Sequence, residues 1–302
     1  SDIYVKPGES IADAIRQARE LRRLNDPSIE GGITIHVAAG NYRIYEPLFL
    51  RPEDSGTPSS PTIIKGEGEV IVSGGVTVTG WKRQGKLMVA DVPDFCGRPL
   101  DFRQFYVNGK KAVRARDVAD FEDMYRIIRV DKQKRVLWVP AAAVRKIQKA
   151  PYAEMVLHEM WCVANLRIKD IMFAGDSAAV SFHDPESRIQ FEHPWPCPMV
   201  TTDGHNSAFY LTNARELLDV PGEWYHDIRA GKLYYYPRQG ELIEEAVVPA
   251  VETLLRVEGT LDRPVRNIRI EGLTFSYSTW MRPSLKGHVP LQAGMYLTDA
   301  YK

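Results

Sequence analysis

The sequence predicts an all-β chain in which parallel coils stack as a solenoid and an antiparallel β-sandwich-like domain is inserted into the stack. The first observation is that short runs of alternating apolar residues recur near both ends, separated by glycine-rich corners and without crossover helices. The second is that the runs between roughly residues 100 and 245 are longer and are joined by polar turns, which is typical of hairpins. The third is a single amphipathic helix that precedes the first strands.

The helix is predicted from residue 11 to residue 24. Ser10 is a good N-cap, and Asp13 follows where a carboxylate meets the helix N-terminus. An apolar stripe with helical spacing comes from Ile11, Ala14, Ile15, Ala18 and Leu21. The arginines off this stripe are expected to form a solvated face: Arg16, Arg19, Arg22 and Arg23. The run 25–27, Asn-Asp-Pro, is expected to end the helix.

The coil pattern is clearest in residues 33–37 and again in residues 267–277. In the second run Gly272 is expected to turn a corner between two faces of one coil. The side chains expected to point inward are Ile268, Ile270, Leu273, Phe275 and Tyr277. A slip of one residue would bury charged side chains instead, so the register is well specified. A stack of this kind is stable only when neighbouring coils cover each other's inner faces.

Hairpins are predicted where two strand-like runs flank a polar turn. One turn lies at residues 131–134, and a second lies at Ala230-Gly231. Residues 154–162 and 178–182 add further strand-like runs. The predicted organisation is therefore 1–100 for the helix and first coils, 101–245 for the inserted domain and 246–302 for the returning coils.

Composition excludes several classes of function. The chain has 39 basic and 39 acidic residues, so it lacks the positive charge that attracts nucleic acid. No apolar run is long enough for a membrane helix. The three cysteines, Cys96, Cys162 and Cys197, are expected to be buried small side chains without a disulfide framework. Neither cysteines nor histidines fall at the spacing of a structural metal site, so no metal is expected.

Several segments together resemble a known family. Residues 11–24 and 32–42 resemble the N-terminal cap and first coil of pectin-lyase-like, right-handed parallel β-helices. The chain is most similar to glycoside hydrolase family 141 in residues 191–195, 213–225, 231–235 and 286–295. That family includes bacterial α-L-fucosidases and xylanases. The resemblance implies a secreted or periplasmic bacterial hydrolase of polysaccharide or oligosaccharide that needs no cofactor.

The resemblance also implies that this chain is an N-terminal portion. Family members are about twice its length, and their catalytic carboxylates are expected downstream of Lys302. The last residues, 299–302, are strand-like and carry no capping element, which favours further coils of the same chain.

Catalysis by a glycosidase requires two carboxyl groups, about 5 to 5.5 Å apart in retaining and about 6.5 to 9.5 Å apart in inverting enzymes. Asp299 is the best-placed acid in this chain, but the sequence offers it no partner. Glu258 and Glu271 each precede a glycine corner and are expected to face solvent. The sequence therefore leaves the catalytic pair unassigned.

Sugar binding requires aromatic platforms and polar groups at the wall of a cleft. The loop between two predicted coils offers Trp280, His288, Gln292 and Tyr296. A rigid, proline-rich segment of the insertion adds His193 and Trp195 as candidates. In contrast, Glu223-Trp224-Tyr225 begins a hairpin strand and is interpreted as core of the inserted domain.

Two other functions stay open at the level of sequence. One is a non-catalytic, carbohydrate-binding β-helix module. The other is a β-helix polysaccharide lyase, which would call for a basic residue near the substrate uronate and often a Ca²⁺ ion held by an acidic cluster. The sequence shows no such cluster, which favours a hydrolase.

Overall fold

The computed structural model describes residues 1–160, 162–192 and 197–281. This described part is mostly β, with several sheets. It forms two compact units. The first consists of residues 1–77 and 247–279, and the second of residues 78–246 with the described residues from 280 onward. The domain boundaries expected after residues 100 and 245 stay predictions.

The first unit contains the helix that the sequence predicts. It spans Ile11–Arg23, and the Ser10 hydroxyl accepts a hydrogen bond of 3.1 Å from the Asp13 backbone N–H. This bond satisfies one of the donors that a helix start leaves unpaired. Beyond the helix, Asn25 adopts a φ of +49°, a left-handed conformation that diverts the chain. The buried stripe consists of Ile11, Ala14, Ile15 and Ala18. The helix, its cap and its apolar face are therefore confirmed.

The expectation of a solvated arginine face is wrong for two of the four arginines. Arg19 donates from Nε and Nη2 to the two carboxylate oxygens of Asp54, at 2.8 and 2.9 Å. Arg22 donates to the Thr62 hydroxyl at 2.8 Å and to the Ser60 carbonyl at 2.9 Å. Both positions flank the apolar stripe, so their long side chains lie along the packed surface and reach neighbouring segments. The helix is thus fixed by polar bonds as well as by its apolar face.

Parallel strands make up most of the first unit. One sheet has the order Asp2–Val5, Ile33–Arg43, Thr62–Ser73 and Ile268–Ser276, with every neighbouring pair parallel. A second parallel pair joins Leu48–Leu50 to Leu255–Val257. Gly75–Thr77 pairs antiparallel with the strand Ala246–Pro249. Alternate side chains of these strands and the helix share one core that includes Ile3, Val5, Ile33, Ile35, Val37, Ile64, Val70 and Val72.

Gly272 lies within the strand Ile268–Ser276, and its predicted role as a corner between two faces of a coil stays a prediction. Its φ is +67°, and the register of its strand shifts between Glu271 and Leu273. A Cβ added to Gly66 in the neighbouring strand would stand 2.1 Å from the Gly272 carbonyl oxygen. The two glycines therefore allow an approach of the backbones that a side chain would prevent. The predicted inward register is confirmed for Ile268, Ile270, Leu273 and Phe275, which pack against the core.

The second unit has the antiparallel character predicted for the insertion. Its strands curl into an antiparallel half-barrel, so the antiparallel character is confirmed and the sandwich-like arrangement stays a prediction. The largest sheet has seven strands, in the order Tyr125–Arg126, Ala208–Thr212, Glu154–Glu159, Cys162–Ala174, Ser177–Phe182, Val136–Pro140 and Arg129–Asp131. A five-stranded sheet has the order Val113–Arg114, Glu223–Asp227, Lys232–Tyr235, Leu87–Asp91 and Lys82–Gln84. The inner faces bury a core that includes Leu137, Met155, Leu157, Leu166, Phe209 and Leu211.

Short elements complete the second unit. Two short α-helices span Ala141–Val144 and Glu186–Glu192. Both hairpins expected around residues 131–134 and 230–231 are confirmed. The structure also contains a hairpin that was not predicted, formed by Tyr106–Val107 and Lys110–Lys111. Its turn is Asn108-Gly109, the residue pair that most favours a two-residue hairpin loop, with φ of +50° and +73°.

The cysteines are all free, as expected. Cys162 is buried, Cys197 is half-buried and Cys96 is exposed, so the expectation of full burial is confirmed for Cys162 and is wrong for Cys96 and Cys197. The reason for Cys96 is local, because Cys96 and Gly97 both have positive φ in the turn between the strands Asp94–Phe95 and Arg98–Pro99. Across the described ranges, no helix combines the length and apolarity that crossing a membrane would require.

Replacing Asp54 by asparagine is expected to destabilise the first unit by about 3 kcal/mol, because it leaves the Arg19 guanidinium without its charge partner in a mostly buried position. Asp54 is 2 % exposed, and the Arg19 side chain 17 %. Urea unfolding of the 302-residue chain measures this effect. The matched control is Arg23→Gln, which removes an exposed pair with Glu20 and should leave the unfolding midpoint unchanged. Equal effects of the two variants would contradict the structural role of Asp54.

Candidate functional site

The seven-stranded sheet of the second unit has one apolar and one polar face. In the strand Glu154–Glu159, Met155 and Leu157 point into the core, so Glu154 and Val156 point to the opposite side. The antiparallel register places further side chains on that side: Asn165 and Tyr210 beside Val156, and Arg167 and Thr212 beside Glu154. We call this set of six residues the polar face.

Glu154 is held by two arginines at the edge of the polar face. Arg103 donates from Nη1 to Oε1 at 2.9 Å and from Nη2 to Oε2 at 2.8 Å, a two-pronged arrangement. Arg114 donates from Nη1 to Oε2 at 3.0 Å. The Glu154 side chain is 5 % exposed, and those of Arg103 and Arg114 are 12 % and 15 % exposed. The three side chains therefore form a buried charge triad with one more positive than negative charge.

The triad fixes the charge state of Glu154. Burial alone would raise its pKa, but the guanidinium groups of Arg114 and Arg103 overcome that effect and hold the pKa of Glu154 at about 2. The carboxylate is therefore ionised throughout the physiological range. Because it cannot carry a proton at neutral pH, Glu154 is unsuited to act as a general acid.

A second buried ion pair lies beside the triad. Arg167 donates from Nε to Glu186 Oε1 at 2.5 Å and from Nη2 to Oε2 at 2.8 Å. Glu186 is fully buried at the start of the helix Glu186–Glu192. Arg167 is thus neutralised by its own carboxylate, whereas Arg103 and Arg114 share Glu154 and also interact electrostatically with the nearby Asp101.

Two cavities meet at Arg103 and Arg114. The first, of about 510 Å³, is lined by both arginines and by residues that include Asp101, Tyr152, Glu154, Arg167, His183 and Asn213. The second, of about 470 Å³, lies over the part of the polar face formed by Val156, Asn165, Tyr210 and Thr212. We call the second cavity the cationic cleft, because its wall also contains Arg103, Lys111, Arg114 and Arg116.

Aromatic side chains complete the cationic cleft. Trp280, Trp224 and Tyr210 all line it. The Arg114 guanidinium lies over the Trp224 ring, 5.8 Å from its centroid. Trp224 and its neighbours Glu223 and Tyr225 are buried, in agreement with the interpretation of this segment as core. A cleft that combines aromatic rings, an amide, hydroxyls and cations can bind a polar ring compound.

Trp280 is the one residue predicted to bind sugar that lies within the described ranges, and it lines the cationic cleft. The other predicted residues lie outside the described residues: His193, Trp195, His288, Gln292, Tyr296 and Asp299. Their proposed roles, and that of Trp280 in binding, stay predictions. Glu258 and Glu271 carry exposed side chains that form ion pairs with Arg256 and Arg269, as expected for solvent-facing positions.

Sequence reasoning missed the charged residues of the cleft. A signal existed in the run 110–116, where Lys111, Arg114 and Arg116 alternate with small apolar residues near the Asn-Gly turn. Glu154 stands directly before three apolar residues, and a charge beside such a run is a candidate for a buried partner. Within the described part of the chain, no cluster of three or more metal-ligating side chains occurs.

An acid with unusual properties lies at the end of the same strand. Burial raises the pKa of Glu159 to about 8, and its two oxygens have no hydrogen-bond partner among the described residues. Its neighbour His158 packs against the ring of Tyr210, with 6.2 Å between the ring centroids. Burial also lowers the pKa of His158. Both side chains are therefore mainly uncharged near neutral pH.

Replacing Glu159 by glutamine is expected to stabilise the protein increasingly as the pH rises from 4.5 towards 8. Over this range the folded protein keeps Glu159 protonated while the unfolded chain ionises, so the wild type loses stability with rising pH. At about 1.4 kcal/mol per pKa unit, the advantage of the variant should grow by roughly 2 to 4 kcal/mol between pH 4.5 and pH 7.5. Urea unfolding at the two pH values measures it. Glu122→Gln, at an exposed position, is the control and should follow the wild type.

Comparisons with known proteins identify the family. A family profile described as "GH141 insertion domain" matches residues 85–238. A solved structure named "Glycoside hydrolase" is 62 % identical over 98 % of this chain, with a TM-score of 0.94. The chain spans 54 % of the length of that glycoside hydrolase. No curated protein matches the chain. Since the insertion domain and almost the entire described fold are shared with these proteins, the chain belongs to the GH141 family of glycoside hydrolases.

Proposed function

We propose that this chain is the N-terminal part of a secreted or periplasmic bacterial glycoside hydrolase that acts on plant or host polysaccharide with α-L-fucosidase-like or xylanase-like specificity. The observation that carries the proposal is the 62 % identity, over 98 % of the chain, to a protein named glycoside hydrolase. That protein is much longer than this chain, which spans 54 % of it. The catalytic carboxylates are therefore proposed to lie in the parent protein beyond Lys302, with Asp299 as the nearest candidate within the chain.

The first unit is proposed to be the start of a right-handed, pectin-lyase-like parallel β-helix. Support comes from the four-stranded parallel sheet and from the second parallel pair, Leu48–Leu50 with Leu255–Val257. Parallel strands require long connections, and here each coil would supply one. The close approach of Gly66 and Gly272 is the kind of contact that stacked coils make at a shared corner. The helix Ile11–Arg23 would then act as the N-terminal cap.

The cationic cleft is proposed to bind part of the saccharide. Trp280 and Tyr210 offer flat apolar faces for the C–H groups of a sugar ring, while the Asn165 amide offers hydrogen bonds. Loops that surround a rigid scaffold commonly carry binding residues. On this proposal the residues that contact the substrate are Trp280, His288, Gln292, Tyr296, His193 and Trp195, of which Trp280 lies within the described residues.

The chemistry of the parent enzyme is proposed to be carboxylate catalysis. One carboxylic acid protonates the departing oxygen, and a second carboxylate acts as nucleophile or activates water, through an oxocarbenium-like transition state. Residues of the present chain would hold and orient the saccharide for that step. Orientation of a bound substrate lowers the entropic part of the barrier, so a binding cleft contributes to rate without touching the reacting atoms.

Replacing Trp280 by alanine is expected to raise the KM of the parent enzyme about tenfold and to leave kcat within about twofold, because stacking supports binding more than chemistry. Initial rates on the polysaccharide over a range of concentrations measure both constants. The matched control is Trp138→Ala, which removes a tryptophan stacked under Arg129 in the same unit but outside the cleft. A change in kcat alone, or equal changes in both variants, would contradict a binding role for Trp280.

The parent protein is expected to release reducing sugar from fucosylated pectin or from xylan. The reaction should produce no unsaturated uronate, which absorbs in the ultraviolet and would instead identify a lyase. The 302-residue chain alone should bind the polymer without cleaving it. Binding by the parent without any release of sugar would identify a carbohydrate-binding module and would overturn the proposed hydrolase.

A further inference from the structure

The cationic cleft has an excess of positive charge that the described protein does not neutralise. Four cationic side chains line it: Arg103, Lys111, Arg114 and Arg116. The described lining contains no carboxylate. Glu154, which lines the neighbouring cavity, already accepts two bonds from Arg103 and one from Arg114. Arg103 and Arg114 thus interact with Glu154 and, electrostatically, with Asp101, whereas Arg116 and Lys111 form no ion pair among the described residues.

Arg116 and Lys111 are the cations of the cleft available to a ligand. Among the described residues neither side chain forms an ion pair, whereas Arg103 and Arg114 both pair with Glu154. Glu223 lies close to Arg116, but its Oε1 accepts the Arg116 backbone N–H at 3.4 Å. Its Oε2 accepts the backbone N–H groups of residues 219 and 220. Both carboxylate oxygens of Glu223 therefore accept hydrogen bonds from backbone N–H groups, and the carboxylate forms no ion pair with the Arg116 guanidinium among the described residues.

The fold directs both free cations to the cleft. Arg116 lies opposite Thr212 in an antiparallel bridge, so it borders the polar face. Lys111 follows the Asn108-Gly109 turn in a short strand, and strand alternation turns it to the side opposite Lys110. Lys111 lines the cleft and Lys110 does not. Of these two adjacent lysines, only Lys111 therefore lines the cationic cleft.

Two hydrogen-bond donors of residues that line the cationic cleft also lack acceptors among the described residues. Arg114 Nε and Trp224 Nε1 are buried and have no acceptor among the described residues. Unpaired donors add positive potential to a region of low dielectric constant, where it is poorly screened. A neutral ligand would leave both the charges and this potential uncompensated, whereas an anionic ligand would offset them.

We propose that the cationic cleft is a subsite for a negatively charged sugar residue, in which Arg116 and Lys111 bind its carboxylate or sulfate group. This inference rests on the proposed carbohydrate function and specifies the class of saccharide. Trp280 and Tyr210 supply faces for the ring of the same residue, and Asn165 supplies a hydrogen bond to a hydroxyl group. The cleft contributes affinity and selects charge; the reacting bond lies elsewhere.

A sugar anion fits these observations better than a nucleic acid. The chain has equal numbers of basic and acidic residues, so it has no extended positive field for a polyanion. The four cations Arg103, Lys111, Arg114 and Arg116 line one cleft of about 470 Å³, which accommodates one or two monosaccharide units and no duplex. The aromatic and amide groups beside the cations match a hydroxylated ring.

The test is calorimetric titration of the 302-residue chain with three probes: an oligogalacturonate, its methyl ester and a sulfated oligosaccharide of similar length. We expect the acid to bind at least about tenfold more tightly than the ester, because charge-assisted hydrogen bonds are lost in the ester. Binding of the acid alone identifies a uronate, and binding of the sulfated probe alone identifies a sulfate ester. Equal affinity for all three probes, or no binding, overturns the proposal.

Substitution of Arg116 and Lys111 tests whether the anionic probe binds in the cationic cleft. The double variant Arg116→Gln/Lys111→Gln should weaken binding of the preferred anion at least about tenfold and leave the weak binding of the ester unchanged. The matched control is Arg83→Gln/Lys110→Gln, which removes the same charge from exposed positions of the same unit. Equal losses in the two double variants would indicate a general effect of net charge and would overturn the site. Thermal unfolding of both variants verifies that they fold.

Different experimental results would overturn the anionic subsite and the proposed hydrolase activity. If the parent enzyme hydrolyses a polysaccharide while the chain shows no preference for anionic probes, the hydrolase stands and the anionic subsite is wrong. If the chain binds an anionic oligosaccharide through Arg116 and Lys111 while the parent releases no sugar, the subsite stands and the hydrolase is wrong.

Discussion

The carboxylate of Glu154, shared by Arg103 and Arg114, is the interaction on which the candidate site depends. It joins segments separated by 51 and 40 residues, and it does so in a buried position. A buried ion pair contributes little net stability against an apolar core, but the loss of one partner is costly because the other charge stays buried. The triad therefore fixes the position of two guanidinium groups. The two cavities meet at these groups, and Arg116 and Trp224 lie beside them.

The helices and strands that the sequence predicts correctly are those marked by a pattern of neighbouring residues. Ser10, the apolar stripe and the Asn-Asp-Pro end define the helix within a few residues. Alternation and a glycine corner define the strand Ile268–Ser276 in the same way. The buried polar contacts of Arg19 and Arg22 do not follow from the local sequence, because their partners lie 35 and 40 residues away and helical periodicity indicates only whether a side chain lies on the apolar stripe. A long side chain at the edge of that stripe can bury its polar end, and no local pattern reveals this.

The contrast between local sequence signals and contacts made far along the chain also applies to the residues of the candidate site. Trp280 could be singled out because an aromatic residue in a loop rich in proline and glycine is unusual in itself. The run that holds Lys111, Arg114 and Arg116 is a weaker signal, because alternating basic and small residues also describe an ordinary strand with one face in water. Only the register of Glu154–Glu159 with its neighbours brings Val156, Asn165 and Tyr210 beneath them. That register joins residues far apart in sequence, and a single sequence does not specify it.

The zero net charge and the cationic cleft have a joint consequence for recognition. At physiological ionic strength a charge is screened beyond about 8 Å, so a balanced surface exerts almost no long-range attraction on an anionic ligand. In the proposed anionic subsite, the cations would act only once the ligand has entered the cleft, where Arg103 and Arg114 are mostly buried and Arg116 is partly buried, while Lys111 is exposed. Charge in this arrangement slows dissociation more than it accelerates association. If the cleft binds an anionic sugar as proposed, it would discriminate between saccharides by residence time more than by rate of association.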